Sequence, residues 1–157
     1  MTKKIARSMR ASTEPRIEVL TSRVHGKGVF ALSPIDAGET VIEYVGEIIS
    51  MDEALRRHPH DPNNPEHTFY FHIDDTRVID GLYGGNASRW MNHSCRPNCE
   101  PVEVEGRIFI QTLRQVWRGE ELTFKYGLVS DEPLTDERKA KYACRCGVKK
   151  CKGTMLA

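Results

Sequence analysis

The chain has 157 residues, with 23 Lys and Arg against 22 Asp and Glu, a net charge of +1 and 39% hydrophobic residues. This length suits one domain with tails and a sizeable core, and the even charge balance excludes the electrostatic footprint of a general nucleic-acid binder. No apolar run approaches the roughly 18 residues of a membrane span and no apolar leader follows the N-terminus, so we expect a soluble, intracellular protein with no membrane partner.

Residues 1–16 are basic, with Glu14 as their only acid, and have no hydrophobic period, which predicts a mobile basic arm. From Arg16 the texture changes to short runs rich in Val, Ile, Phe, Tyr and Thr, separated by turn residues. These predict strands at 17–21, 28–32, 40–49, 68–73, 77–79, 107–113 and 121–124. Ser50-Met51-Asp52-Glu53 reads as a capping box opening a short helix to about Arg57. Pro59, Pro62 and Pro65 then interrupt regular structure until Thr68. A helical turn is expected at 86–91, and a short polar helix from Thr135 or Asp136. The expectation is a mainly β domain with a cysteine-rich tail.

Five cysteines, an odd number at close spacing and without a leader peptide, argue against an extracellular disulfide framework. Cys144, Cys146 and Cys151 place three thiols within one short stretch, with Gly147 suited to a tight turn. A structural zinc takes four ligands in a tetrahedron, so a fourth must come from elsewhere, and Cys95 or Cys99 can supply it. Lys149, Lys150 and Lys152 would offset the negative charge of four thiolates.

Three other stretches combine chemistry with turn signals. Arg89-Trp90-Met91-Asn92-His93-Ser94-Cys95 concentrates hydrogen-bonding and ligating groups. His25-Gly26-Lys27-Gly28 holds two glycines that allow a tight bend and close approach of a ligand to bare backbone. It lacks the third glycine of a dinucleotide fingerprint and the Lys-Ser/Thr of a phosphate loop. In Glu121-Leu122-Thr123-Phe124-Lys125-Tyr126, read as a strand, Leu122, Phe124 and Tyr126 share one face. Taken alone, such a face is core.

Taken together, the GKGVFA turn, EYVGEII, FYFHIDD, RWMNHSCRPNC, GEELTFKY and CRCGVKKC closely resemble, in order and spacing, the SET-domain protein lysine methyltransferases with a zinc-binding post-SET tail, especially the trithorax-like branch. The resemblance runs from about Ile17 to Leu156. It implies a fold of several small β-sheets with a pseudoknot, short helices and a zinc-bound C-terminal tail. The implied layout is a basic arm at 1–16, the SET domain at 17–128 with a variable insert at 50–67, a linker at 129–141 and the post-SET tail at 142–157.

By that resemblance the chain is an S-adenosylmethionine-dependent protein-lysine N-methyltransferase acting on histone or histone-like lysines. His25, Gly26, Lys27, Gly28, Arg89, Asn92 and His93 would hold the methyl donor. Cys95, Cys144, Cys146 and Cys151 would hold one structural Zn2+, leaving Cys99 unliganded. Tyr126 matches the family's essential tyrosine, and Tyr44, Phe69, Phe71 and Phe124 would shape a lysine channel. Phe124 rather than Tyr implies di- or trimethylation. Three positions depart from the usual pattern: Phe69 where relatives often have Tyr, Lys125 for Asp, and Trp90 for Phe. The partner would be a lysine in an extended peptide, with no nucleic-acid site. The location would be nuclear in a eukaryote or host cell, and cytoplasmic in a bacterium. The rival expectation is an inactive SET module serving as a zinc-stabilised interaction domain.

Overall fold

The computed structural model describes residues 15–58, 68–128 and 133–157. The basic arm up to residue 14, most of the Pro-rich insert (59–67) and the linker residues 129–132 lie outside the described residues.

Among the described residues, ten short strands form three small sheets. The first contains β1 (Ile17–Thr21), β2 (Lys27–Ala31), β10 (Glu121–Phe124) and β7 (Asn92–His93), in the order β1-β2-β10-β7. The second is β3 (Thr40–Tyr44), β9 (Arg107–Thr112) and β8 (Cys99–Val104), with β9 central. The third is β4 (Glu47–Ser50), β6 (Arg77–Asp80) and β5 (Tyr70–His72), with β6 central. Val29, Ile35, Ile110, Val116 and Leu122 are fully buried where the sheets meet.

Two strand expectations need correction. The run 40–49 is two strands, because the chain changes sheet at Val45-Gly46. A Cβ on Gly46 would stand 2.4 Å from the Asp80 carbonyl oxygen, so only glycine allows this crossing. Strand β8 was not expected at all, because Pro101 breaks its pattern. It is an edge strand, where a missing backbone N–H is tolerated, and Pro101 still pairs with Ile110. A two-residue turn joins β8 to β9, with Glu105 (φ 51) and Gly106 (φ 79) both left-handed, as a type I′ hairpin requires.

The helices follow their caps. Helix α1 (Met51–Arg57) starts where Ser50 Oγ accepts the Glu53 N–H at 3.1 Å. It covers a small cluster of Ile49, Ala54 and Val78. A 3-10 turn (Ala87–Trp90) is capped by Asn86, whose Oδ1 accepts the Ser88 N–H at 3.0 Å. Helix α2 (Asp136–Lys141), capped by Thr135, buries none of its residues.

The first sheet positions everything that follows. Strand β10 runs antiparallel to β2 and parallel to β7, pairing Leu122 with Val29, Thr123 with Asn92 and Phe124 with His93. Three stretches remote in sequence thus become neighbours. Asn98 locks the arrangement: its Nδ2 donates to the Glu121 carbonyl at 2.8 Å and its Oδ1 accepts the Thr123 N–H at 2.9 Å. The tail closes on itself through a bridge pairing Ala143 with Thr154, and returns to the segment after β10 through one pairing Leu128 with Leu156.

Candidate active site and thiol cluster

A cavity of about 950 Å³ opens beside β7 and β10, at the upper end of the usual range for small-molecule sites. His25, Lys27, Arg89, Trp90, Asn92 and His93 line one part of it. Tyr44, Phe71, Phe124 and Tyr126 line another. The end of helix α2 contributes Lys141, and the tail contributes Cys144, Arg145 and Met155.

Asn92 sits at the centre of the polar part. Its Nδ2 lies 3.2 Å from the His25 carbonyl, 2.9 Å from the Lys27 carbonyl and 2.9 Å from Glu121 Oε1. Three acceptors around one nitrogen need an NH2 group that shares two protons, which an amide supplies and a carboxylate does not. Beside it, the Trp90 indole is flanked by two cations, with Lys27 Nζ 4.8 Å and the Arg89 guanidinium carbon 5.1 Å from a ring centroid. Arg89 Nε is buried and has no hydrogen-bond partner, so one donor of a permanently charged group remains unmatched at the cavity wall.

The aromatic part is a continuous row. Ring centroids are 5.2 Å apart for Tyr44 and Phe71, 6.2 Å for Phe71 and Phe124, and 5.3 Å for Phe124 and Tyr126. The Tyr44 hydroxyl donates to the Phe69 carbonyl at 2.9 Å, and the Tyr126 hydroxyl donates to the Met91 carbonyl at 2.6 Å. Burial pushes both phenol pKa values well above the usual tyrosine range, so both stay neutral at physiological pH. With its proton engaged by Met91, the Tyr126 oxygen retains acceptor capacity.

His93 joins this row to the thiols. Its Nδ1 accepts the Tyr126 backbone N–H at 3.0 Å, and its Nε2 lies 3.8 Å from Cys95 Sγ. Burial, followed by the nearby charges of Lys125 and Lys152, lowers its pKa. A neutral ring that accepts at Nδ1 carries its proton on Nε2, facing the sulfur.

The Sγ atoms of Cys95, Cys144, Cys146 and Cys151 all lie within 4.8 Å of one another. Cys95 Sγ is 3.7 Å from Cys144 Sγ and 3.8 Å from Cys151 Sγ. Zinc–sulfur bonds of about 2.3 Å in a tetrahedron require sulfur–sulfur edges of about 3.8 Å, so this donor set could hold zinc. Although burial raises the Cys146 pKa, hydrogen bonds from the Cys95 and Val148 backbone bring it down to about 6, whereas burial raises that of Cys144. Cys99 is fully buried in the core, its thiol pushed up by burial to about 12. The choice between Cys95 and Cys99 thus falls on Cys95.

Three of the residues expected at the site are not on the cavity wall. Phe69 is buried behind Trp90, with ring centroids 5.2 Å apart and nearly perpendicular planes. Gly26 and Gly28 also lie off the wall and have different reasons to be glycine. Gly26 has φ +47 with open space around it, whereas a Cβ on Gly28 would stand 2.1 Å from Glu121 Oε1. Sequence reasoning missed Glu121, Met91 and Ser22. Met91 acts through its carbonyl, which no side-chain pattern reveals, and Glu121 acts on Asn92 and Ser22, both remote from it in sequence.

A model of the SET domain matches residues 26–127. Over 150 residues the chain is 37% identical to "Histone-lysine N-methyltransferase trithorax" of Drosophila virilis, a match covering 93% of this chain and 4% of that protein. It is 38% identical over 150 residues to "Histone-lysine N-methyltransferase 2B" of Homo sapiens, covering 93% and 5%. To "Histone-lysine N-methyltransferase TRX1" of Oryza sativa subsp. japonica it is 37% identical over 155 residues, covering 95% and 14%. The chain therefore spans a small fraction of the length of these relatives.

Proposed function

The chain belongs to the SET-domain family, and from that premise we propose that it is a protein-lysine N-methyltransferase using S-adenosylmethionine, with one structural zinc. The observation that carries this reading is the single cavity shared by a polar part around Asn92 and an aromatic row ending at Tyr126. The names of the relatives favour histone lysines as substrates, and with them a chromatin location.

S-adenosylmethionine, when bound, would supply an electrophilic methyl group beside a positive charge. His25, Lys27, Arg89, Asn92 and His93 would hold it. The unmatched Arg89 donor and the Lys27 ammonium suit its carboxylate, and the Gly26–Gly28 turn keeps the backbone close.

The chain's own task is to deliver a neutral amine in line. A free lysine with a pKa of about 10.4 is only about 0.1% neutral at pH 7.4, a penalty of about 4 kcal/mol. Moving the ammonium along the aromatic row removes water and lowers that pKa. Tyr126, neutral and accepting, offers one fixed hydrogen-bond position to orient the amine, and orientation of this kind is a major source of rate. Phe124 adds no hydroxyl to hold a water or a partly methylated amine, which favours di- or trimethyl products.

The test is transfer of labelled methyl from S-adenosylmethionine to core histones and to a lysate of the source organism, read by mass spectrometry. Label on lysine side chains is expected. Absence of both transfer and calorimetric donor binding would overturn the reading in favour of an inactive interaction module.

A further inference from the structure

The Glu121 carboxylate reaches across the first sheet to the turn that ends at Gly28. Glu121 pairs with Phe30, and Gly28 lies two residues along β2 on the same face, a diagonal separation that a long side chain can span. Glu121 Oε1 accepts from Asn92 Nδ2 at 2.9 Å, and both carboxylate oxygens accept the Ser22 hydroxyl, at 2.8 and 3.0 Å. Ser22 Oγ in turn accepts the Val24 N–H at 2.9 Å, and the Ser22 N–H donates to the Gly26 carbonyl at 2.8 Å. One carboxylate therefore grips the Asn92 amide and the base of the Ser22–Gly28 turn together.

Gly28 completes the arrangement. A Cβ there would meet Glu121 Oε1 at 2.1 Å, Glu121 Cδ at 2.9 Å and Ser22 Cβ at 3.0 Å. Gly28 has no left-handed φ, so its backbone does not demand glycine. The demand comes from the carboxylate, which fills the space a side chain would take.

We propose that Glu121 is a positioning residue that aims the Asn92 amide and shapes the Ser22–Gly28 turn for donor binding, and that position 28 is glycine because this carboxylate must pass over it. The first half rests on the reading of the cavity as a methyl-donor site. Asn92 has three acceptors for two protons. Without the carboxylate the amide is held only by the two turn carbonyls, and the Ser22 hydroxyl loses the group that orients it. Because Glu121 does not line the main cavity, its loss acts on donor binding through Asn92 and the turn.

The experiment combines donor titration with a double-mutant cycle. Glu121→Ala is expected to weaken S-adenosylmethionine binding about 10- to 100-fold by calorimetry, the range expected for lost hydrogen bonds to a charged group. Peptide KM and kcat at saturating donor should change little, and Glu121→Gln, which keeps the size and an acceptor, should recover most of the affinity. Gly28→Ala should lower the unfolding midpoint sharply in the wild-type chain and much less in Glu121→Ala. Should Glu121→Ala fail to fold, Ser22→Ala removes the second anchor and should also weaken donor binding. Donor affinity within twofold of wild type in these variants, or equal damage from Gly28→Ala in both backgrounds, overturns the proposal. If the wild-type chain binds no donor, the functional reading falls, and the unfolding cycle still decides the Gly28–Glu121 coupling.

Discussion

Replacing Tyr126 with Phe removes one oxygen and its 2.6 Å bond to the Met91 carbonyl, leaving the ring packed against Phe124. Loss of a single positioning group in a buried site is expected to reduce kcat at least about 100-fold, with donor affinity near normal. Stopped turnover assays beside calorimetry check this, and undiminished kcat would remove Tyr126 from the mechanism. At Phe124 the added hydroxyl of Phe124→Tyr should shift the product towards monomethyl-lysine, visible in intact-peptide mass spectra. Cys99 gives a pH prediction. Its folded pKa of about 12 exceeds the unfolded value of about 8.5, so above pH 8.5 the unfolded chain sheds a proton that the folded chain keeps. Stability supplied by this group is complete below pH 8.5 and falls as pH rises towards 12, by about 1.4 kcal/mol per pH unit. Cys99→Ala should flatten the decline between pH 8.5 and 10 in denaturant titrations, before the raised tyrosines add their own slope.

At the scale of elements, strand β10 is the interior strand that joins the two other segments, pairing with β2 on one side and β7 on the other. The alternation in Glu121–Phe124 was legible because an apolar face is a local property of a strand. Its pairing with β2 and β7 was not, since pairing depends on contacts between residues far apart in sequence. Helix α1 shows the same division. Ser50 announced its start, but its attachment comes from Arg57, which bonds Glu47, Glu53 and the fully buried Asp80. Arg57→Ala should therefore lower the unfolding midpoint clearly. Arg56→Ala, at a position three-quarters exposed and, among the described residues, paired only along the helix, should change it little. Similar midpoints for the two variants would mean that the Asp80 contact contributes nothing to holding α1.

For the molecule as a whole, the tail and the cavity are one unit. Lys141 at the end of helix α2 and Cys144, Arg145 and Met155 of the tail form part of the cavity wall, and the tail has few buried residues of its own to hold it there. Helix α2 buries none. A metal joining Cys95 to the three tail thiols would supply that attachment, as when folding and metal binding are linked. Native mass spectrometry should find one zinc per chain, lost in Cys95→Ser and retained in Cys99→Ser. Chelation should increase hydrogen exchange in the tail and weaken donor binding together. A tail equally protected with and without metal would contradict this coupling.

Sequence by itself determined the mainly β class, the two capped helices, the thiol spacing and the family, because each depends on residue types at short, fixed intervals. It could not separate Cys95 from Cys99 by spacing alone, since both precede the tail cysteines at comparable distances. Nor could it divide 40–49 into two strands or find β8 behind Pro101. Tertiary structure decided these points, because each depends on what lies across space: three sulfurs beside Cys95, the Asp80 carbonyl over Gly46, and an edge position for Pro101. The two glycines of the His25–Gly28 turn show the difference most plainly. Sequence assigned both to one purpose, whereas Gly26 answers to its own backbone angle and Gly28 to a carboxylate far along the chain. A local angle leaves its mark on nearby residues, but a steric demand from a distant strand is visible only once the chain has folded.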